Sequence, residues 1–131
     1  MPRSEDIYLR ITGTHTTVGT SEETTLQFPT VGARVWLLVG FHYKVTTASS
    51  ANDYSPELHQ AAGASADGIN ERLNYADTAI GTAINDVFAV PIPCMTDSNG
   101  RLYFKPEFDT GTPSGSYEFW FKKGRGATKT V

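Results

Sequence analysis

A single cysteine, Cys94, stands in 131 residues, so the chain forms no intramolecular disulfide and no multi-cysteine zinc site. Charge is sparse: Asp, Glu, Lys and Arg make up 19% of the residues, and the net charge is -3. A nucleic-acid binder carries a basic surface, and this balance argues against one. No apolar run approaches the ~18 residues that a membrane span needs. The polar start at residues 1–6 lacks the basic-then-apolar order of a signal peptide, so no such segment is expected. Long Glu- and Lys-rich stretches of the kind found in exposed helices are missing too. In their place are 17 Thr, or 26 residues counting Ser, a bias toward pleated surfaces and polar loops. A chain of this length is expected to form one domain, residues 1–131, around one core.

The regular segments alternate with the period of two that marks half-buried strands. In residues 5–12, Ile7, Leu9 and Ile11 share a face. Residues 24–28 form a second short strand closed by Pro29, which has no N–H to give a ladder. The strongest signal runs over 33–45. There Val35, Leu37, Val39, Phe41, Tyr43 and Val45 make one face, expected inward, and Trp36, Leu38, Gly40, His42 and Lys44 make the other. Gly40 sits mid-run, where glycine marks a bulge, a bend or a close backbone approach.

Residues 87–93 carry prolines at spacing two and read as a sheet edge or an extended arm. Residues 101–106 and 116–123 read as the last strands, with Leu102 and Phe104 on one face of the first and Tyr117, Phe119 and Phe121 on one face of the second. Asp97-Ser98-Asn99-Gly100 reads as a type I′ hairpin turn. Between these strands, residues 46–86 are expected to form a long loop excursion. It holds a short helix, starting at Ser55-Pro56-Glu57-Leu58 and ending at Gly63. Loops of that length are usually functional. Residues 124–131 read as a flexible basic tail. The expected fold is all-β: an antiparallel β-sandwich or barrel of six to eight strands, with at most one or two short helices.

No catalytic set converges. Gly63-Ala64-Ser65-Ala66-Asp67-Gly68 lacks the glycine two residues after serine that a nucleophile elbow needs. Cys94 has no nearby histidine to make a thiolate. His15, His42 and His59 stand far apart with no ligand-spaced pair, so no metal site is expected. The Asp97–Gly100 turn shares a fragment with calcium loops, but the bidentate acid position falls on Phe108. Glu107 and Asp109, sharing a face around Phe108, are the one candidate carboxylate pair, in a turn-rich stretch where solvated acids are common. Phosphate-cradling glycine patterns are absent. The chain is therefore expected to be non-enzymatic, with no cofactor and no small-molecule substrate.

Two features point to a macromolecular partner. Lys122, Lys123, Arg125 and Lys129 fall in the last ten positions with no acid among them, which makes either an ordinary solvated tail or an arm suited to an acidic neighbouring surface. Trp36, Tyr103 and Trp120 fall on faces opposite the expected core, and His42 lies on the weaker face of its strand. Either both faces of some of these strands are buried, or these aromatics mark a protein interface or a sugar-stacking platform.

In its Thr-rich all-β style the chain resembles the jelly-roll or sandwich decoration (cement) proteins of tailed bacteriophages. The resemblance rests on Ser116-Tyr117-Glu118-Phe119-Trp120-Phe121, on Val90-Pro91-Ile92-Pro93, on Asp97 through Tyr103 and on the prolonged loop. It implies a protein of the virion, made in the host cytoplasm, that binds the major capsid protein on the outside of the shell, commonly as a homotrimer. A carbohydrate- or receptor-binding β-sandwich of a virion fibre is the alternative, with Trp36, Tyr103 or Trp120 stacking on sugar.

Overall fold

The computed structural model describes residues 8–16, 22–63 and 70–124. Every regular element among them is a strand: β1 (Tyr8–Thr16), β2 (Thr24–Gln27), β3 (Val35–Thr47), β4 (Asp53–Tyr54), β5 (Glu57–His59), β6 (Glu71–Asn74), β7 (Thr78–Ala79), β8 (Ile84–Met95), β9 (Arg101–Lys105) and β10 (Ser114–Lys123). All pairings are antiparallel. Two four-stranded sheets form a sandwich: sheet A in the order β1-β10-β3-β8, and sheet B in the order β2-β9-β5-β6. The short pair β4-β7 stands apart from both ladders. The all-β sandwich is as expected. The strand number exceeds six to eight because of short strands inside the supposed excursion.

The core lies between the sheets and is largely aromatic. Phe104 of β9 is its centre: four rings of sheet A, Phe41, Tyr43, Tyr117 and Phe119, have centroids 5.2–5.7 Å from it. At one end Phe28 packs on Phe121 at 4.9 Å and on Trp36 at 5.3 Å. Edge-on and tilted ring pairs at these separations suit the aromatic quadrupole.

The long strand β3 departs from uniform alternation. Trp36 and Leu38 are buried, and so are Phe41 and Tyr43, so the inward parity changes midway. The ladder shows where: Phe121 pairs with Leu38 while Trp120 pairs with Gly40, leaving Val39 as an extra residue. One inserted residue turns every side chain on one side of it to the opposite face. Gly40 does mark a bulge, and the bulge puts Trp36 into the core.

The excursion over 46–86 is mostly sheet. No helix forms at Ser55–Gly63; β5 lies there, paired to β9 on one side and β6 on the other. Ser55 and Pro56 look like a helix start, yet the Ser55 N–H donates to Glu107 O and Pro56 O accepts from the Tyr75 N–H. Tertiary backbone partners override the local preference.

The Asp97–Gly100 turn also differs from expectation. It joins β8 of sheet A to β9 of sheet B, with Gly100 N–H donating to Asp97 O at 3.0 Å. Only Gly100 has a positive φ, 76°. Asp at the first position and Gly at the fourth suit a type I turn. A Cβ on Gly100 would stand 2.3 Å from Thr30 O, so the site admits no side chain.

Candidate functional site

The face of sheet A turned away from the core carries the most distinctive surface. β10 sends Ser116, Glu118 and Trp120 outward and Phe119 and Phe121 inward. Beside it, β1 contributes Tyr8 and Arg10, β3 contributes Val39 and His42, and β8 contributes Asn85 and Val87. Tyr8, Val39, Val87 and Trp120 line an open, mainly apolar concavity of about 370 Å³, floored by Gly40. Val87 is 82% exposed and Tyr8 55%. Apolar side chains grouped this way are unusual on a free surface. A polar groove continues from it past Arg10, Thr12, Thr14, His42, Lys44, Asn85, Ser116 and Glu118.

Hydrogen bonds fix the boundary between the two halves. Arg10 pairs with the Glu118 carboxylate and stacks over the Trp120 ring, 5.6 Å from its centroid. The Trp120 side chain and then Arg10 hydrogen-bond the Glu118 carboxyl and hold it below the usual range. His42 Nδ1 lies 2.9 Å from Asn85 Oδ1. Trp120 is thus held in one orientation with one side of its ring over Gly40, its Cδ1 3.7 Å from where a Cβ there would be.

Of the residues expected to meet a partner, the structure brings His42 and Trp120 together on this face. Lys122 follows Trp120 outward on β10, opposite Tyr8 in register, and Lys123 is exposed at the strand's end. Both belong to β10 and not to the tail. Arg125 and Lys129 lie outside the described residues, as do Ser65 and Asp67.

Two expected contacts are buried. Trp36 is 9% exposed, for the bulge reason given above. Tyr103 is also buried, with its hydroxyl donating to the Asp97 carboxylate. Burial works against the Asp97 charge. Hydrogen bonds from Tyr103, Asn99 and Arg101 outweigh that and keep its carboxyl below the usual range.

Asp109 and the thiol have structural tasks. Asp109 Oδ1 accepts the N–H of Asn52 at 2.9 Å and of Asp53 at 3.3 Å, and its Oδ2 accepts the Asn52 side-chain amide. These bonds, the Asn52 N–H first, lower its pKa. Cys94 is fully buried, its Sγ 3.5 Å from Ile92 O, and burial pushes the thiol up to about 12. Inside sheet A, His15 Nε2 is 2.6 Å from the Tyr43 hydroxyl, and burial lowers the histidine pKa.

One group on sheet B has metal-ligand chemistry: Glu57, His59 and Glu71 offer ligand atoms within 4.8 Å of one another. Histidine spacing along the chain does not reveal it, because Glu71 arrives by strand pairing. The Glu57-x-His59 alternation was the only local signal. The exposed apolar group on sheet A was similarly hidden, since Val87 and Tyr8 are far apart in the chain and meet only through strand pairing. No family model, curated protein or solved structure matches the chain.

Proposed function

We propose that the chain is a non-enzymatic structural protein of a tailed-bacteriophage virion, a decoration or cement protein that lies on the outer capsid surface and stabilises the shell. Its partners on this reading are the major capsid protein and further copies of itself, as a homotrimer.

The observation that carries the reading is the open concavity of Tyr8, Val39, Val87 and Trp120 on the outer face of sheet A. Broad, shallow and apolar, with a fixed aromatic, it suits a protein surface better than it suits a small substrate. The adjoining strand edge is a poor site for another strand: Pro91 and Pro93 on β8 have no N–H to donate. On this reading the contact is made by the face. On that face Glu118 is taken by Arg10, leaving Lys44 and Lys122 to favour an acidic partner. Symmetric attachment at many sites strengthens a modest single contact.

Sedimentation of lysate from the native source, with the chain followed by mass spectrometry, tests this. Co-sedimentation with a megadalton particle at a fixed number of copies per capsomer is expected. Recovery only in the light fraction overturns it. The carbohydrate-binding reading keeps one specific support: Trp120 borders His42, Asn85 and Glu118, an aromatic beside hydroxyl-binding groups. A Trp fluorescence change with one member of a glycan panel, together with recovery in the light fraction, would favour that fibre-module function.

A further inference from the structure

Sheet B holds a cluster that the docking face does not use. Glu57 and His59 alternate along β5, and Glu71 of β6 is the register partner of His59. That register depends on a bulge. Leu58 pairs with Leu73, and the next pair is His59 with Glu71, so Arg72 is the extra residue and a carboxylate comes to stand beside the imidazole. One ligand atom from each of the three side chains lies within 4.8 Å of the others.

The bonding inside the cluster is incomplete. His59 is 0% exposed, and its Nε2 lies 2.8 Å from Glu57 Oε1. Its other ring nitrogen, Nδ1, is buried without a partner. Glu71 Oε1 accepts from the Asn74 amide at 3.0 Å, while Glu71 Oε2 is buried without a partner. Buried nitrogen and carboxylate lone pairs are unfavourable unless a proton donor or a cation meets them.

We propose that Glu57, His59 and Glu71 bind a divalent transition-metal ion, with zinc the best match. One imidazole nitrogen and two carboxylate oxygens are ligands that zinc accepts, and a water completes four-coordination. Two carboxylates with a neutral imidazole balance the charge of a dication. Donor atoms on a tetrahedral zinc at about 2.0–2.2 Å stand roughly 3.3–3.6 Å apart, so rotations of the two glutamates close the set. The ion would clamp β6, an edge strand of sheet B, to β5. Because the ligands come together only in the folded chain, binding stabilises that fold.

The test uses the purified full chain, stripped with a chelator and titrated with zinc, with metal content read by elemental analysis. Saturation at one zinc per chain is expected, with a rise in thermal midpoint that a chelator reverses. Cobalt(II) in place of zinc should give the visible absorption of a tetrahedral site. Glu71→Gln keeps the shape and the Asn74 contact. It should weaken zinc binding by an order of magnitude or more, while His42→Gln leaves binding unchanged. The proposal is overturned if the wild-type chain shows no saturable uptake. It is equally overturned if Glu71→Gln and Glu57→Gln both bind zinc as wild type does, which would leave the cluster as an ion pair only.

Discussion

Sheets A and B are built from different kinds of sequence. The strands of sheet A are 9, 10, 13 and 12 residues long, whereas those of sheet B are 4, 5, 3 and 4. A strand such as β10 carries its own evidence, because Phe119 and Phe121 must be covered on one side. A strand such as β5 exists because β9 and β6 take its backbone groups from both sides. The division extends to the candidate sites. Sheet A presents a broad apolar face, and sheet B a compact polar cluster produced by a bulge.

The largest expected effect comes from breaking the joint between the sheets. Phe104→Ala removes the ring against which Phe41, Tyr43, Tyr117 and Phe119 pack. It should cost about 3–5 kcal/mol in chemical denaturation, and a loss under about 1 kcal/mol would mean the sheets are held together elsewhere. Gly115→Ala tests the interior of sheet A alone. Its Cβ would meet the Tyr43 hydroxyl at 2.4 Å and His15 Nε2 at 2.8 Å, so a loss of about 1–3 kcal/mol is expected.

The His15–Tyr43 contact makes a smaller, pH-dependent contribution. Burial lowers the His15 pKa from 6.5, so the unfolded chain takes up this proton before the folded chain does. The stability contributed is fully present above about pH 6.5 and falls as the pH drops through and below that value. Urea midpoints measured at about pH 7.5 and about pH 5.5 should differ less in His15→Gln than in wild type. An identical pH response in both proteins would exclude His15 as its source.

On the outer face the expected stability effect is smallest. Arg10 is largely exposed, and Arg10→Ala should change stability by under about 1 kcal/mol. A larger loss in thermal unfolding would make the pair with Glu118 part of the scaffold and not of the surface.

The same contrast governs what could be read from the chain before folding. The inward faces of β1, β9 and β10 follow from alternation at Leu9 and Ile11, at Leu102 and Phe104, and at Phe119 and Phe121. In β3, alternation gave the correct parity for Phe41 and Tyr43 but the wrong one for Trp36 and Leu38. Gly40 marked a bulge, a bend or a close approach without saying which, or on which side the pattern would reverse. Of sheet B, β2 and β9 were legible at residues 24–28 and 101–106, but β5 and β6 stayed hidden because strands of three and four residues contain too few alternations to stand out. Ser55-Pro56 then supplied a competing helix signal. The site was legible as single residues, with Trp120 and His42 correctly placed outward. Their company was not, because Tyr8, Val39 and Val87 join them through non-local ladders and Val39 only through the bulge. Glu71 beside His59 is equally a product of register.

The docking role proposed for sheet A is tested most directly by adding purified wild-type chain and the Val87→Asp variant to isolated shells that lack this protein. Val87 is exposed, so the variant should fold as wild type does, which circular dichroism checks. The wild-type chain is expected to saturate the shells at a fixed stoichiometry, and Val87→Asp to remain in solution at the same concentration. Equal occupancy of the shells by both proteins would contradict a contact through the outer face of sheet A.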